Sequence, residues 1–389
     1  MEVQHFPSQR GKTRNAPLPY TVSPIQLLRS DIFLFFRSLW AFPGAFLPLF
    51  PWRSGRLDEL YPSARNLWGI LMHGLLFVYQ TLFLVSLPIL VCSIPATWFS
   101  LCIALGIFLN YKVCKMALNG DQRVLVSREP VDESPGHERE HWFFLNGIAV
   151  GNHWLQSNID QIGRTFGRRV TGIHNRTVGV IFDVIECLIQ RDFCYATQDI
   201  RDAYKLVKEA LLDERYDKVV LILHSQGGIE GGLVVDWLLD EMPHNLLRKL
   251  EVYTFGSAAN HFNNPHQSVA ALRHADRDDS SQAIRHIEHY ANAEDFVSVW
   301  GVLNFATIPN RYMGSIFVRQ GSGHQFNQHY LDNMFTLGED GRVKEDNEFM
   351  DAEMHTIMDG RNSVGRHKVK DLSRLWQYRN GGSPDELTN

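Results

Sequence analysis

Cysteine is scarce, positive charge is not in excess, and one long stretch carries no charge at all. The 389-residue chain has five cysteines, Cys92, Cys102, Cys114, Cys187 and Cys194, an odd number with no C-x-x-C pair. That pattern argues against a disulfide scaffold and a zinc site, so no metal is expected and the cysteines read as free thiols in a reducing compartment. With 38 Lys plus Arg against 43 Asp plus Glu, the formal net charge of -5 leaves no electrostatic footprint for nucleic acid. Residues 1–30 do not read as a secretory signal, because they are polar and broken by Pro17, Pro19 and Pro24.

The uncharged stretch lies between Arg65 and Lys112 and begins NLWGILMHGLLFVYQTLFLVSLPILVC. A helix of that length would reach roughly 70 Å at about 1.5 Å per residue, about twice the hydrocarbon core of a bilayer. Two membrane spans are therefore expected, broken at Ser93, Ile94 and Pro95, since an internal proline costs a helical hydrogen bond and clashes with the preceding turn. Arg53, Arg56 and Arg65 precede the hairpin and Lys112, Lys115, Arg123 and Arg128 follow it, whereas its turn has no cation. Cations are retained in the cytoplasm, so both flanking parts are expected to be cytosolic. A buried hairpin or a re-entrant loop is the competing reading. His73, inside the first span, is expected to meet a backbone carbonyl. Upstream, DIFLFFRSLWAFPGAFLPLFPW is apolar but interrupted by Arg37 and three prolines, too broken to span. It suits a segment lying along the membrane, with Trp40 and Trp52 at headgroup level, or a flap over the soluble part.

Beyond the polar linker REPVDESPGHERE the chain becomes globular. HWFFLNG, RRVTGIHN, KVVLIL, LEVYTFG, IRHIEHYAN and GSIFVRQ read as strands. LQSNIDQIGRTFG, QDIRDAYKLVKEALLDE and IEGGLVVDWLLDEM read as helices, the second with Ile200, Ala203, Tyr204, Val207 and Leu211 on one face. Such alternation predicts a mostly parallel sheet flanked by helices, which binds ligands at the carboxyl ends of its strands. The expected organisation is a polar and interfacial segment (1–66), a hairpin (67–118), a linker (119–140), a catalytic α/β domain (141–337) and a charged, flexible tail (338–389). That tail is expected to end in a short helix with Leu372, Leu375 and Trp376 in one apolar stripe.

Chemistry concentrates at VVLILHSQGG, residues 219–228. A serine hydroxyl needs a base to take its proton and a third group to orient that base. A sharp strand-to-helix turn of G-x-S-x-G type meets the first need by lifting the serine out of the sheet. Here the turn is Leu223-His224-Ser225-Gln226-Gly227, with leucine where the first glycine is usual. Ser225 is the candidate nucleophile; the competing reading is a structural serine at a strand end. In Ser-acid-His order, Asp295 follows the strand IRHIEHYAN and is the candidate acid, with Glu294 as runner-up. His324, in the turn GSGH after the last strand, is the candidate base, with His329 as rival. His224, His261, His266, His286 and His289 read as polar or core positions. Backbone N–H groups of Gln226 and of Ile148, in the turn Asn146-Gly147-Ile148, are the expected oxyanion donors.

These residues resemble the α/β-hydrolase superfamily. FFLNGI, HSQGG, YTFGSAANHF, NAEDFV and GSGH, spread over Trp142 to Phe335, are similar to serine esterases of undefined function, and TFGSA to class 3 lipases. GIHNRTVGVIFDVIECLIQR and FGSAANHFNNPH resemble uncharacterised fungal membrane-associated hydrolases. The resemblance implies an α/β-hydrolase fold, a Ser225–Asp295–His324 triad and no cofactor. Two departures are Leu223 and Asn146, which stands where many members have histidine.

The function expected is a membrane-anchored serine hydrolase cleaving a carboxylic ester of a lipid or another apolar compound, with membrane lipids as partners. A non-catalytic scaffold of the same fold and an acyltransferase, possible in secondary metabolism, are the alternatives. Asn175-Arg176-Thr177 is a glycosylation sequon, and a glycan there would place the domain in a lumen.

Overall fold

The computed structural model describes residues 2–9, 22–128, 137–265, 282–358 and 361–384. His266, Pro17, Pro19 and linker residues 129–136 lie outside them. Ten strands form one sheet: β1 (Val3–Phe6), β2 (Val124–Val126), β3 (Glu140–Leu145), β4 (Val170–Ile173), β5 (Lys218–His224), β6 (Leu250–Phe255), β7 (His286–Asn292), β8 (Ser315–Arg319), β9 (Glu353–Met358) and β10 (Arg361–Lys368). Their order is β10-β9-β1-β8-β7-β6-β5-β3-β4-β2. The run from β4 to β8 is parallel throughout, and β2 and β1 flank it antiparallel. This is a mixed α/β fold with a largely parallel, centrally buried sheet.

The principal helices are α1 (Pro24–Arg37), α2 (Ala64–Ser93), α3 (Ala96–Cys114), α4 (Asn152–Phe166), α5 (Val180–Phe193), α6 (Gln198–Leu212), α7 (Gln226–Glu241) and α8 (Phe296–Trp300). Side chains on the strands divide with period two. Phe143, Leu145, Val219, Leu221 and Leu223 join the core beneath α5, α6 and α7. Trp142, Phe144, Val220 and Ile222 join the core beneath α4 and the C-terminal segment. Helix α5, not anticipated as a helix, packs between α2 and α1.

Two expectations about the ends of the chain are overturned. Residues 3–6 are not a loose polar segment: Val3–Phe6 pairs with Ile316–Arg319 on one side and with β9 on the other. Nor is the tail flexible, since β9 and β10 extend the sheet and Arg374 Nε donates to buried Glu251 Oε1 at 3.0 Å. Tyr378 donates its hydroxyl to Glu251 Oε2 at 2.8 Å. The expected terminal stripe is also revised: Leu375 and Trp376 are buried with Tyr378, while Leu372 faces outward.

Helices α2 and α3 are long and apolar enough to cross a membrane. The chain turns between them at Ile94 and Pro95. Trp68 and Tyr79 of α2 donate across the hairpin to the carbonyls of Ala117 and Gly106. One face of α2, bearing Asn66, His73, Leu76 and Gln80, is buried against the α/β body. Gln80 donates to Asn110 Oδ1 and to the Val178 carbonyl and accepts from Ile181 N–H, which bolts the hairpin to the start of α5.

The segment joining α1 to α2 is held down by acidic residues. Burial, reinforced by the neighbouring Asp332 carboxylate, pushes the Asp58 carboxyl up from 3.8 to about 8, and burial pushes Asp332 up to about 6. Both groups bind protons more tightly folded than unfolded, so their contribution falls as pH rises from about 4 to about 8. Asp58→Asn keeps the shape of the protonated acid without the charge. It is expected to raise the melting temperature by roughly 2–4 °C at pH 8 and to leave it nearly unchanged at pH 4.5, as thermal unfolding in detergent would measure.

Candidate active site

Strand β5 is buried along its whole length and delivers Ser225 at its carboxyl end, where α7 begins. Ser225 adopts φ 60° and ψ -121°, a conformation that a residue with a Cβ enters only under strain. The surroundings enforce it. Ser225 N–H donates to Phe255 O at 3.1 Å, and Ser225 O accepts from Gly228 N–H and Ala258 N–H at 3.0 Å each. A Cβ on Gly227 would stand 2.4 Å from Leu145 O, and one on Gly228 2.2 Å from Ser257 Oγ, so glycine is needed where α7 leaves the turn. Leu223, in place of the usual first glycine, is accommodated from the other side. Its Cδ1 lies where a Cβ on Gly231 would come within 2.3 Å, so Gly231 vacates the space that the leucine fills.

Asp295 follows β7 and His324 follows β8, and the sheet brings both to Ser225. His324 Nε2 is 2.8 Å from Ser225 Oγ, and its Nδ1 is 2.8 Å from Asp295 Oδ2. Asp295 is fully buried and caps α8 through Val297 N–H at 3.0 Å. Its Oδ2 also accepts from Tyr330 OH at 2.7 Å and Ser298 Oγ at 3.0 Å. Four donors thus converge on one carboxylate and fix its orientation toward the imidazole. Burial, followed by the Asp295 charge, pushes the Tyr330 phenol well above its ordinary value, so it stays a donor. Tyr330 and Ser298 were not singled out in the sequence; both sit in helical turns whose spacing shows only packing.

The rival base lies elsewhere. His329 faces away, with Nε2 3.0 Å from Pro48 O and Nδ1 accepting from Gln325 N–H. Glu294 makes no side-chain contact with His324, and its backbone N–H pairs with Gly321 O. His224 has a positioning role: burial pushes its pKa well below the ordinary value, and the neutral ring bonds through Nε2 to the His324 carbonyl at 2.8 Å.

The turn 146–148 lies against the serine, so closely that a Cβ on Gly147 would meet Ser225 Cβ at 2.3 Å. Ile148 and Gln226 line the same cavity as Ser225. Asn146, where histidine was noted as usual, ties the turn to the end of β4: its Nδ2 donates to Asn175 O and its Oδ1 accepts from Asn175 N–H. Asn175 Nδ2 in turn donates to Gln226 Oε1 at 2.7 Å. Both residues expected to carry an oxyanion donor are thus braced by one buried amide network. The same bonds rule out the sequon as a topology marker, because Asn175 is 3% exposed and its amide is already engaged.

A cavity of about 390 Å³ opens at Ser225, and its walls are predominantly apolar. Val184 and Cys187 come from α5, Phe296 and Trp300 from α8, Phe35 from α1, Phe42 and Phe46 from the segment beyond it, and Gly74 and Phe77 from α2. The segment at 31–52 roofs the cavity, as the flap reading expects, and leaves Trp40 and Trp52 exposed. Its anchor is ionic. Asp31 Oδ2 accepts from Arg191 Nε at 2.5 Å, and the Arg191 guanidinium lies 3.7 Å from the centroid of the Trp300 ring. All five cysteines are free thiols. Among the described residues there is no cluster suited to a metal ion.

No family model matches the chain, and no curated protein matches it. Among solved structures it is similar to a proposed hydrolase from Agrobacterium vitis S4, at 11% identity and a TM-score of 0.30, over 53% of this chain and 89% of that one. It is also similar to an esterase/lipase from an uncultured bacterium, at 11% identity and a TM-score of 0.29, over 56% of this chain and 81% of that one.

Proposed function

We propose that the chain is a cofactor-free serine hydrolase of α/β-hydrolase type, anchored to a membrane by α2 and α3, that cleaves carboxylic esters of a lipid or another apolar compound. The observation that carries this reading is the unbroken chain Ser225–His324–Asp295, with both contacts at 2.8 Å, at the mouth of an apolar cavity.

Ser225 Oγ attacks the ester carbonyl while its proton passes to His324 Nε2, and Asp295 stabilises the imidazolium that forms. The carbonyl oxygen becomes negative and is met by the N–H groups of Gln226 and Ile148. Collapse expels the alcohol, which takes the proton from His324 and leaves an acyl-serine. Water, deprotonated by the same histidine, then releases the carboxylic acid and restores the serine.

Membrane attachment sets the substrate class. A bilayer needs about 20 apolar residues per helix, and counted back from the turn at Ile94 they begin near Gly74. The α/β body contacts α2 as far as Phe83, whose ring meets Phe182 of α5, so in this reading it dips into the bilayer by roughly 14 Å. Exposed apolar side chains suit such an interface: Phe33 and Phe36 of α1, Ile185, Ile189 and Phe193 of α5, and Trp40 and Trp52. Phe42, Phe46 and Phe77 belong both to this exposed set and to the cavity wall, so an ester dissolved in the leaflet reaches Ser225 without crossing water. The cations at both ends of the hairpin support a cytosolic position for the catalytic body.

A fluorophosphonate probe added to the full chain in detergent or nanodiscs is expected to label Ser225 stoichiometrically, with the adduct mapped by peptide mass. Absence of label, or a label on another residue, would sink the assignment.

A further inference from the structure

The buried face of α2 carries three polar side chains, and two of them have every polar atom matched. Asn66 donates to the carbonyls of Asp58 and Tyr61 and accepts from Trp154 Nε1. Gln80 donates to Asn110 and Val178 and accepts from Ile181. His73 lies between them and differs: it is 8% exposed, and neither Nδ1 nor Nε2 makes a hydrogen bond. The expected backbone carbonyl is present at Ala149 but stays short of hydrogen-bond geometry with the ring.

A buried imidazole gives up its hydration, and with no partner it recovers nothing in the free protein. Disorder does not explain the vacancy. The ring is stacked on Trp154, with centroids 5.6 Å apart and planes 11° from parallel, and Trp154 is itself held by Asn66. His73 is therefore a rigid polar group aimed at something that the chain does not supply. It lines the cavity that holds Ser225, beside Ile148, Ala149 and Val150 of the oxyanion turn. Glu59 and Asn158, polar residues on the same wall, are bonded to each other at 2.8 Å. Gly74, the next residue, lines the same cavity, and a Cβ there would touch nothing within 4 Å.

We infer that His73 is a substrate-recognition residue and that the preferred substrate is an apolar ester bearing a hydroxyl group remote from the scissile carbonyl. A neutral imidazole has one N–H and one bare nitrogen, and a hydroxyl can accept from the first or donate to the second. A plain hydrocarbon in the same place leaves the ring unmatched, and sites with a buried polar group discriminate against ligands that cannot pair with it. The inference rests on the esterase reading and adds the chemistry of the substrate to it. The hydroxyl could belong to the acyl chain or to the alcohol.

Two probe pairs separate those sources: 4-nitrophenyl stearate against its positional hydroxystearates, and the methyl ester of a long-chain acid against its 1-monoacylglycerol. In at least one pair the wild-type protein is expected to favour the hydroxylated member about 10-fold or more in kcat/KM. His73→Leu should collapse that ratio toward one, whatever happens to the absolute rates, and His73→Gln, which keeps a donor and an acceptor, should restore part of it. A merely structural histidine would shift both members together. Equal rates within both pairs for the wild type, or a ratio that His73→Leu leaves intact, overturns the inference. Loss of all ester turnover by the wild type, with no fluorophosphonate label, would instead overturn the esterase reading itself.

Discussion

Ser225→Ala is expected to lower ester turnover by about 10⁴- to 10⁶-fold with the fold intact, and Asp295→Asn by about 10⁴-fold. The asparagine effect follows from donor arithmetic at Asp295. Its Oδ1 accepts from Val297 N–H, and its Oδ2 accepts from Tyr330 and Ser298 besides facing His324 Nδ1. An amide must place its NH2 at one of the two positions. At Oδ1 it opposes a backbone N–H; at Oδ2 it faces the imidazole with a donor and selects the wrong tautomer. The second arrangement is the better tolerated one, so the base is turned around while the protein stays folded. Because the amide oxygen keeps the Val297 N–H bond in that arrangement, the cap on α8 survives and stability should change by less than about 1 kcal/mol. Steady-state kinetics and thermal unfolding on the same samples would check both parts. Turnover by Ser225→Ala within 10-fold of wild type would show that the chain uses another nucleophile.

Gly231→Ala is expected to destabilise the protein by about 1–3 kcal/mol, and Leu223→Ala alone by about 2–5 kcal/mol, yet the two together should cost clearly less than the sum. The added methyl would stand 2.3 Å from Leu223 Cδ1 and 2.6 Å from Cδ2, in a core with no slack. Once Leu223 is shortened, the alanine methyl enters the space that the leucine occupied. A strictly additive cycle in denaturant unfolding would mean that the two residues do not share that volume. Fluorophosphonate labelling rates should follow the stabilities, because Leu223 is two residues from Ser225 and any shift in β5 moves the hydroxyl away from His324.

Much of the central sheet was legible because its strands are fully buried and read as unbroken apolar runs ending in turn residues. KVVLIL followed by His224-Ser225-Gln226-Gly227 is the clearest case, and the acid and histidine beyond the ends of β7 and β8 were found by the same logic. The strands at one end of the sheet were not legible. VQHF, EMHTIM and RNSVGRHK, at β1, β9 and β10, hold at least as many polar as apolar residues and contain no unbroken apolar run. Helix α5 was missed because VIFDVIECLIQR is apolar on two sides, one against the body and one outward, which blurs the helical period. Tyr330 reaches Asp295 across 35 residues of chain, and His73 faces a wall built from distant segments, whereas Ser298 lies only three residues beyond Asp295. Local spacing carries no trace of the first two contacts.

Strand β1 has a consequence for the order of events during synthesis. Residues 3–6 are made before their partners, Ile316–Arg319 and Met354–Thr356, so the strand must wait while more than 300 residues are made. In that interval α2 and α3 have already left the ribosome and can enter the bilayer. On the proposed membrane reading the nascent chain would then be fastened at its hairpin before β1 meets its partners, and the sheet would be completed on a tethered chain. Tethering to the surface shortens the search for so distant a pairing.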